Sequence, residues 1–455
     1  MPAPKRTEKD SLGTIDVPTD ALFGAQTQRA VNNFHFSPWR MPPEWLQTLA
    51  LIKQAAALAN GELGELDTAK AEAIQAAAQD IVDGELLDHF PVDVFQTGSG
   101  TSSNMNMNEV LARSAAQKSG LAISPNDDVN RGQSSNDVIP TCNHLMAAVM
   151  IDSHLLPALR HLCERFDALS TTYGHIVKTG RTHLMDAMPI SVAQEIDGWR
   201  QPFVDIEAQL EINLRALCQL TLGGTAVGTG VNAHDELGQR VAQHLSLATG
   251  LTLTRTQHHF SLQSGQQDLL ALSGTLRQLA TWLIKVANDL RWMNSGPLAG
   301  LQEAQLPALQ PGSSIMPGKV NPVIPEAVVQ AAFQIIGNDQ AIALAAQNGQ
   351  FQLNTSMPLI AYNLHLNITL ASRSCRALAD MALAGLVYNE TAINAPLARN
   401  PILATVLNPV IGYDAAADIA KTAYATGRSV LDVAMEKTDL SEEELKVLLD
   451  PARLV

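Results

Sequence analysis

The sequence predicts an all-α chain. Apolar residues recur at steps of three and four over long stretches, strand-like alternation is scarce, and polar, glycine-bearing segments fall between the periodic ones. The first periodic stretch, Trp45 to Phe90, is rich in alanine and reads as helical, with Gly61, Gly64 and Gly84 marking breaks. Leu155, Leu159, Leu162, Phe166 and Leu169 form a stripe on a second helix. Pro157 predicts a kink or a late start there, because proline removes a backbone donor and crowds the preceding turn. Leu269, Leu272, Leu276, Leu279, Leu283, Val286 and Leu290 form the longest stripe. Such stripes are the ordinary core of a helical bundle and require no cofactor box.

At 455 residues with 46% hydrophobic content, the chain can bury a large core and form more than one domain. No apolar run reaches the roughly 18 residues of a membrane span. Met1 to Asp10 is charged and lacks the basic, apolar and small-residue order of a secretory signal. A formal net charge of -15 argues against a nucleic-acid partner, since phosphate neutralisation needs a basic surface. It leaves a small anionic substrate open, because remote charges are screened beyond roughly 8 Å at physiological salt and local donors decide affinity. Cys142, Cys163, Cys218 and Cys375 lack the paired spacing of a zinc site or a redox dithiol, and read as buried free thiols of a reducing cytoplasm. There is no internal repeat and no low-complexity linker to mark domain boundaries.

Five segments escape the helical period: Thr97 to Asn108, Pro125 to Thr141, Thr179 to Gln194, Gly223 to His234 and Gln310 to Pro322. The last holds paired serines and Lys319 between Pro/Gly punctuations, with Gly312 and Gly318 as hinges. Pro322, Pro325 and Glu326 suit the start of a helix, whose free N–H groups receive anions and near which Lys319 and Asn321 would sit. A solvated interhelical turn is the plain alternative. Thr97-Gly-Ser-Gly-Thr-Ser-Ser-Asn-Met-Asn-Met-Asn108, with Ser99 and Thr101, is dense in short neutral donors for carboxylate oxygens, and Gln133-Ser-Ser-Asn-Asp137 repeats that chemistry. Each also suits helix capping. Gly180-Arg-Thr-His-Leu-Met-Asp186 places His183 beside Thr182, although a lone histidine is commonly structural. Gly223-Gly-Thr-Ala-Val-Gly-Thr-Gly230 lacks the Gly-Lys-Ser/Thr ending of a phosphate loop and reads as a tight turn.

Together these segments resemble the aspartase and fumarase superfamily, and within it the class II fumarases. The resemblance runs from Asp10-Ser-Leu-Gly-Thr-Ile and Gly24-Ala-Gln-Thr-Gln-Arg29 through to Gly337-Asn-Asp339 and Ile411-Gly-Tyr413. Its most specific element is Gly312-Ser-Ser-Ile-Met-Pro-Gly-Lys-Val-Asn-Pro322. It implies an all-α fold of three domains, at 1–132, 133–390 and 391–455, whose long central bundle associates into a twenty-helix tetramer core. Each active site of the homotetramer would combine segments from three subunits. The implied activity is hydration of fumarate to L-malate, a tricarboxylic acid cycle step in the cytoplasm, with no metal or organic cofactor.

Carried onto matching positions, the resemblance makes Ser313 the base beside a substrate carboxylate. Lys319 and Asn321 would stabilise the aci-carboxylate that follows. Ser99, Thr101, Ser134, Ser135, Asn136 and Thr182 would hold the carboxylates. His183, oriented by Glu326, would protonate the departing hydroxyl or activate water. Ser134-Ser135, Thr182-His183 and the glycine before Lys319 favour fumarase. Gly300-Leu-Gln-Glu-Ala-Gln-Leu-Pro307 and Asn321-Pro-Val-Ile-Pro325 are also close to aspartases, so aspartate ammonia-lyase is the alternative. A non-catalytic homologue is disfavoured by Ser313, Lys319, Asn321, Glu326 and His183 occurring together. Ser124 stands where fumarases usually carry the histidine of a second anion site, and Phe23 where tryptophan is common.

Overall fold

The computed structural model describes residues 4–397 and 399–455. An N-terminal hairpin, β1 (Lys5–Asp10) and β2 (Gly13–Pro18), precedes helices α1 (Ala25–Asn33), α2 (Pro43–Glu62), α3 (Thr68–Val82), α4 (Thr101–Ser119), α5 (Ser135–Met150) and α6 (Leu156–Tyr173). A second hairpin, β3 (Val177–Thr182) and β4 (Met185–Ser191), leads into α7 (Val192–Leu217), α8 (Leu237–Thr249), α9 (His259–Ser264) and α10 (Gln267–Met293). Then come α11 (Val323–Ala346), α12 (Met357–Ala377), α13 (Glu390–Leu397), α14 (Asn408–Ile411), α15 (Tyr413–Thr426), α16 (Val430–Lys437) and α17 (Glu442–Leu448). The all-α expectation holds. Among the described residues, no helix is long and apolar enough to cross a membrane.

The chain divides into two compact units. One comprises the segments through Pro157, Ala208–Ala280 and Phe333–Ser372; the other comprises Ala158–Glu207, Thr281–Ala332 and Arg373–Val455. In the first, α2 packs on α3 and α5, and buried Trp45 donates its indole N–H to Asn143 Oδ1 at 2.8 Å. Asp339 of α11 accepts from Ser273 Oγ of α10 at 2.6 Å, and Asn338 Nδ2 donates to Asn367 Oδ1 of α12 at 2.8 Å. In the second, Phe166 stacks on Phe203, and Trp199 donates to Asp289 Oδ2 at 2.8 Å. Its C-terminal helices enclose a small core around Leu407, Ile419, Val433 and Leu445.

Every member of the two predicted stripes is buried. The proline irregularity is a π-helical turn, Ile151–Leu155, followed by α6 with Pro157 at its second position. The wider turn takes up the missing donor and the bulk of the ring. Gly64 and Gly84 follow helix ends with positive φ. Gly61 is no break: it lies in the last turn of α2, where an added Cβ would stand 3.1 Å from Ala71 Cβ of α3. It permits close helix contact instead. Cys142, Cys163 and Cys375 are buried free thiols, while Cys218 is only partly buried.

Both hairpins are absent from the sequence reading because polar contacts hold them rather than apolar alternation. Arg6 donates to the carbonyls of Pro18 (2.5 Å) and Phe23 (2.6 Å), and Arg29 grips Asp10 at 2.7 Å. Phe23 itself is buried.

The buried stripe gives a direct stability test. Leu276 is 0% exposed in α10, and Leu276→Ala is expected to cost about 2–5 kcal/mol, measured by chemical denaturation.

Candidate active site

In the first unit, the sequence brings two helix N-termini together. Gly100 adopts φ 75° and no side chain caps α4. Ser99 Oγ lies 2.8 Å from Thr101 Oγ1, which lies 2.7 Å from Ser135 Oγ, forming a continuous chain of hydroxyls. Ser134 caps α5 by accepting from Asn136 N–H at 3.2 Å, and Asp137 completes the capping box by accepting from Ser134 N–H at 3.0 Å. Ser134 caps its helix, while the Thr101–Ser135 contact lies outside capping.

Asp137 also accepts from the N–H groups of Gly223 (2.9 Å) and Thr225 (2.8 Å), and Asn136 Nδ2 donates to Ala226 O at 2.8 Å. The Gly223–Gly230 segment is thus a turn, with positive φ at Gly223, Gly228 and Gly230, wrapped on the start of α5. Burial pushes the Asp137 carboxyl up to about 6 against these three backbone donors and the charge of Lys53. From the sequence, Asp137 is named only as the end of its motif, and Lys53 is not singled out. A lysine on the apolar face of an alanine-rich helix was the available signal for Lys53.

In the second unit, His183 and Leu184 form the two-residue turn of the β3–β4 hairpin, with φ of 56° and 63°. Positive φ at both central positions is the geometry that closes a tight hairpin, and neither residue is glycine. Thr182 and His183 are therefore presented at an exposed tip. The hairpin is anchored by buried charge. Lys178, 1% exposed, pairs with Glu195 Oε1 at 2.9 Å and Glu303 Oε2 at 2.7 Å, and Arg181 donates to Glu303 Oε1. Burial pushes the Glu195 carboxyl up, against Lys178. Burial also opposes ionisation of Glu303, but its Arg181 hydrogen bond and the Lys178 charge hold it below the usual carboxylate range.

The serine loop belongs to the same unit. Ser313 Oγ accepts from the N–H groups of Ile315 (3.2 Å) and Met316 (3.1 Å). Gly312 is not a free hinge. Its N–H donates to Lys319 O at 2.7 Å, its carbonyl accepts from Asn321 Nδ2 at 2.9 Å, and an added Cβ would stand 2.5 Å from Lys319 O. Gly318, at φ 79°, has open space around it. Glu326 lies in the first turn of α11, as expected. Lys319, Asn321, Glu326 and Arg291 line a cavity of about 570 Å³. No hydrogen bond joins His183 to Glu326 within the chain; each is held on a separate element. Ser124 accepts from Asp127 N–H at 3.1 Å as the cap of the π-helical turn Pro125–Val129.

The chain matches a family described as Lyase over residues 13–337 and one described as Fumarase C C-terminus over residues 403–455. With the helical fold, this defines a helical lyase. A Pseudomonas aeruginosa protein named fumarate hydratase class II 2 is 54% identical over 449 residues, covering 99% of this chain and 98% of that protein. The crystal structure of a class II fumarase from Schistosoma mansoni superposes with a TM-score of 0.96 at 36% identity, covering 99% of each chain. A Brucella melitensis structure described as fumarate lyase:delta crystallin gives 0.93 at 43% identity, again covering 99% of each chain. The chain belongs to the class II fumarate hydratase family.

The buried charge network makes its own prediction. Glu303→Ala leaves Lys178 and Arg181 short of their shared partner and is expected to cost about 3–5 kcal/mol, read by denaturation at neutral pH. Because the folded carboxyl titrates below its unfolded value of about 4.3, the wild-type advantage is present above that pH and shrinks as pH falls through the lower folded value.

Proposed function

We propose that this chain catalyses the reversible hydration of fumarate to L-malate. The observation that carries the mechanism is the pair of backbone N–H groups donated to Ser313 Oγ. Two donors aimed at one hydroxyl oxygen favour its anion, and Lys319 on the same loop adds positive charge, so a serine becomes a usable base. In the malate-to-fumarate direction, the Ser313 oxyanion takes the proton from the carbon beside a carboxylate. The electron pair moves into that carboxylate, giving an aci-carboxylate favoured by Lys319 and Asn321 and by the start of α11. Expulsion of hydroxide follows as the carbon–carbon double bond forms, and His183, oriented by Glu326, supplies the proton that releases it as water. Ser99, Thr101, Ser134, Ser135, Asn136 and Thr182 hold the carboxylates. Hydration is the same path reversed.

No hydrogen bond joins His183 to Glu326 within one chain, which supports a site assembled from several copies. The proposed assembly is a cytoplasmic homotetramer with each site shared among three subunits, and with domains at 1–132, 133–390 and 391–455. Exposed Ile212 on α7, Leu270 on α10, and Phe333 and Leu344 on α11 support such packing, since long helices rarely leave large apolar residues in water without a partner. Mixing inactive variants from different segments is expected to restore part of the activity in hybrid tetramers.

Purified protein is expected to convert fumarate to L-malate without ammonia, with products identified by NMR. Aspartate formation, or aspartate deamination, that outpaces malate turnover would assign the alternative ammonia-lyase activity. Ser313→Ala and His183→Asn are each expected to lower kcat by about 10²–10⁴-fold with the fold intact.

A further inference from the structure

Lys53 sits at the middle of α2 and is 0% exposed. Its ammonium donates to Asn130 Oδ1 and Gln133 Oε1, both at 3.0 Å. Asn130 Oδ1 also accepts from Asn104 Nδ2 (3.2 Å) and Asn108 Nδ2 (3.1 Å) of α4, and Asn130 Nδ2 donates to Gln133 O at 3.1 Å. Gln133 directly precedes Ser134. Asn130 therefore fastens α4 to the turn that starts α5, and the Lys53 ammonium holds Asn130 and Gln133 from behind; the first residues of the two helices meet through Thr101 and Ser135.

A buried ammonium is far costlier than a buried amide, so hydrogen bonding to two neutral side chains does not by itself account for a lysine here. The titratable groups facing it are Asp137 and Cys142, both on α5. Asp137 is already bound by three backbone N–H groups. Cys142 Sγ is directed at Trp45 O at 3.5 Å, and burial raises its thiol well above the usual range, so it stays neutral. The hydroxyl and amide cluster at the starts of α4 and α5 contains no cation of its own, so Lys53 is the positive charge built in behind it.

We propose that Lys53 is a positioning residue for substrate binding, whose buried charge holds the Gln133–Asp137 turn against α4 and draws a substrate carboxylate to Thr101, Ser134 and Ser135. This rests on the reading that those hydroxyls hold a carboxylate. Burial lowers the Lys53 ammonium to about 7, against the pull of Asp137 and Cys142. The charge is present below that pH and lost above it. An anion binds the protonated form more tightly, so affinity is highest below neutrality and falls as pH rises through that value. Asp137, raised to about 6, is already ionised over most of this range.

The test is calorimetric titration with succinate, a dicarboxylate that cannot react, from about pH 6 to pH 9. Wild-type Kd is expected to rise by about tenfold or more over that range, whereas Lys53→Met binds at least about tenfold more weakly at pH 6 and is nearly pH-independent. Lys53→Arg, charged throughout, should retain tight binding at the alkaline end. Lys53→Met binding within about twofold of wild type at pH 6 overturns the proposal, as does an unchanged pH slope in Lys53→Arg if Lys53→Met fails to fold. Ser135→Ala separates the two levels. If it binds succinate normally, the carboxylate does not sit there and the functional reading fails; if it weakens binding while Lys53→Met does not, only the role of Lys53 fails.

Discussion

The Asp137 carboxylate, fully buried and accepting from the N–H groups of Ser134, Gly223 and Thr225, is the joint on which the hydroxyl cluster depends. It closes the capping box of α5 and pins the Gly223–Gly230 turn in the same step. A neutral acceptor would satisfy fewer donors and would lack the attraction between an anion and a helix N-terminus. With α5 fixed in this way, the Ser135 hydroxyl reaches Thr101 on α4, and short side chains from separate segments become one surface. Such precision is beyond solvated turns, whose hydroxyls rotate freely.

The second unit meets the same requirement by different means. There the exposed chemistry sits on a hairpin tip with positive φ at two non-glycine residues, a conformation that persists only when its surroundings impose it. Lys178, Glu195, Glu303 and Arg181 do so through a closed set of two cations and two anions, which avoids leaving any buried charge alone. The serine loop is constrained more lightly, by the Gly312–Lys319 backbone contact and the Asn321 side chain, leaving Ser314 to Gly318 exposed and Ser313 half-buried.

Charge is economised throughout. The chain as a whole carries -15, yet the donors at the starts of α4 and α5 are neutral hydroxyls and amides backed by a single buried lysine. Neutral donors pay little desolvation when a carboxylate replaces their water, while a cation held behind them adds attraction without direct ion pairing.

The sequence by itself determined the helical class, the two long stripes, the irregularity at Pro157, the turn at Gly223–Gly230 and the polar segments in which the candidate residues lie. Each is written in a local period or a short motif, because helix geometry repeats every few residues and burial of one face leaves a visible stripe. Tertiary structure alone decided that Asp137 anchors a turn 86 to 88 residues away, that Lys53 reaches Gln133 across 80 residues, and that Glu303 holds the His183 hairpin. It also made Gly61 and Gly312 points of close approach rather than a break and a hinge. These contacts rest on single polar residues or single missing Cβ atoms, which have no period, and their partners are chosen by the packing of distant helices.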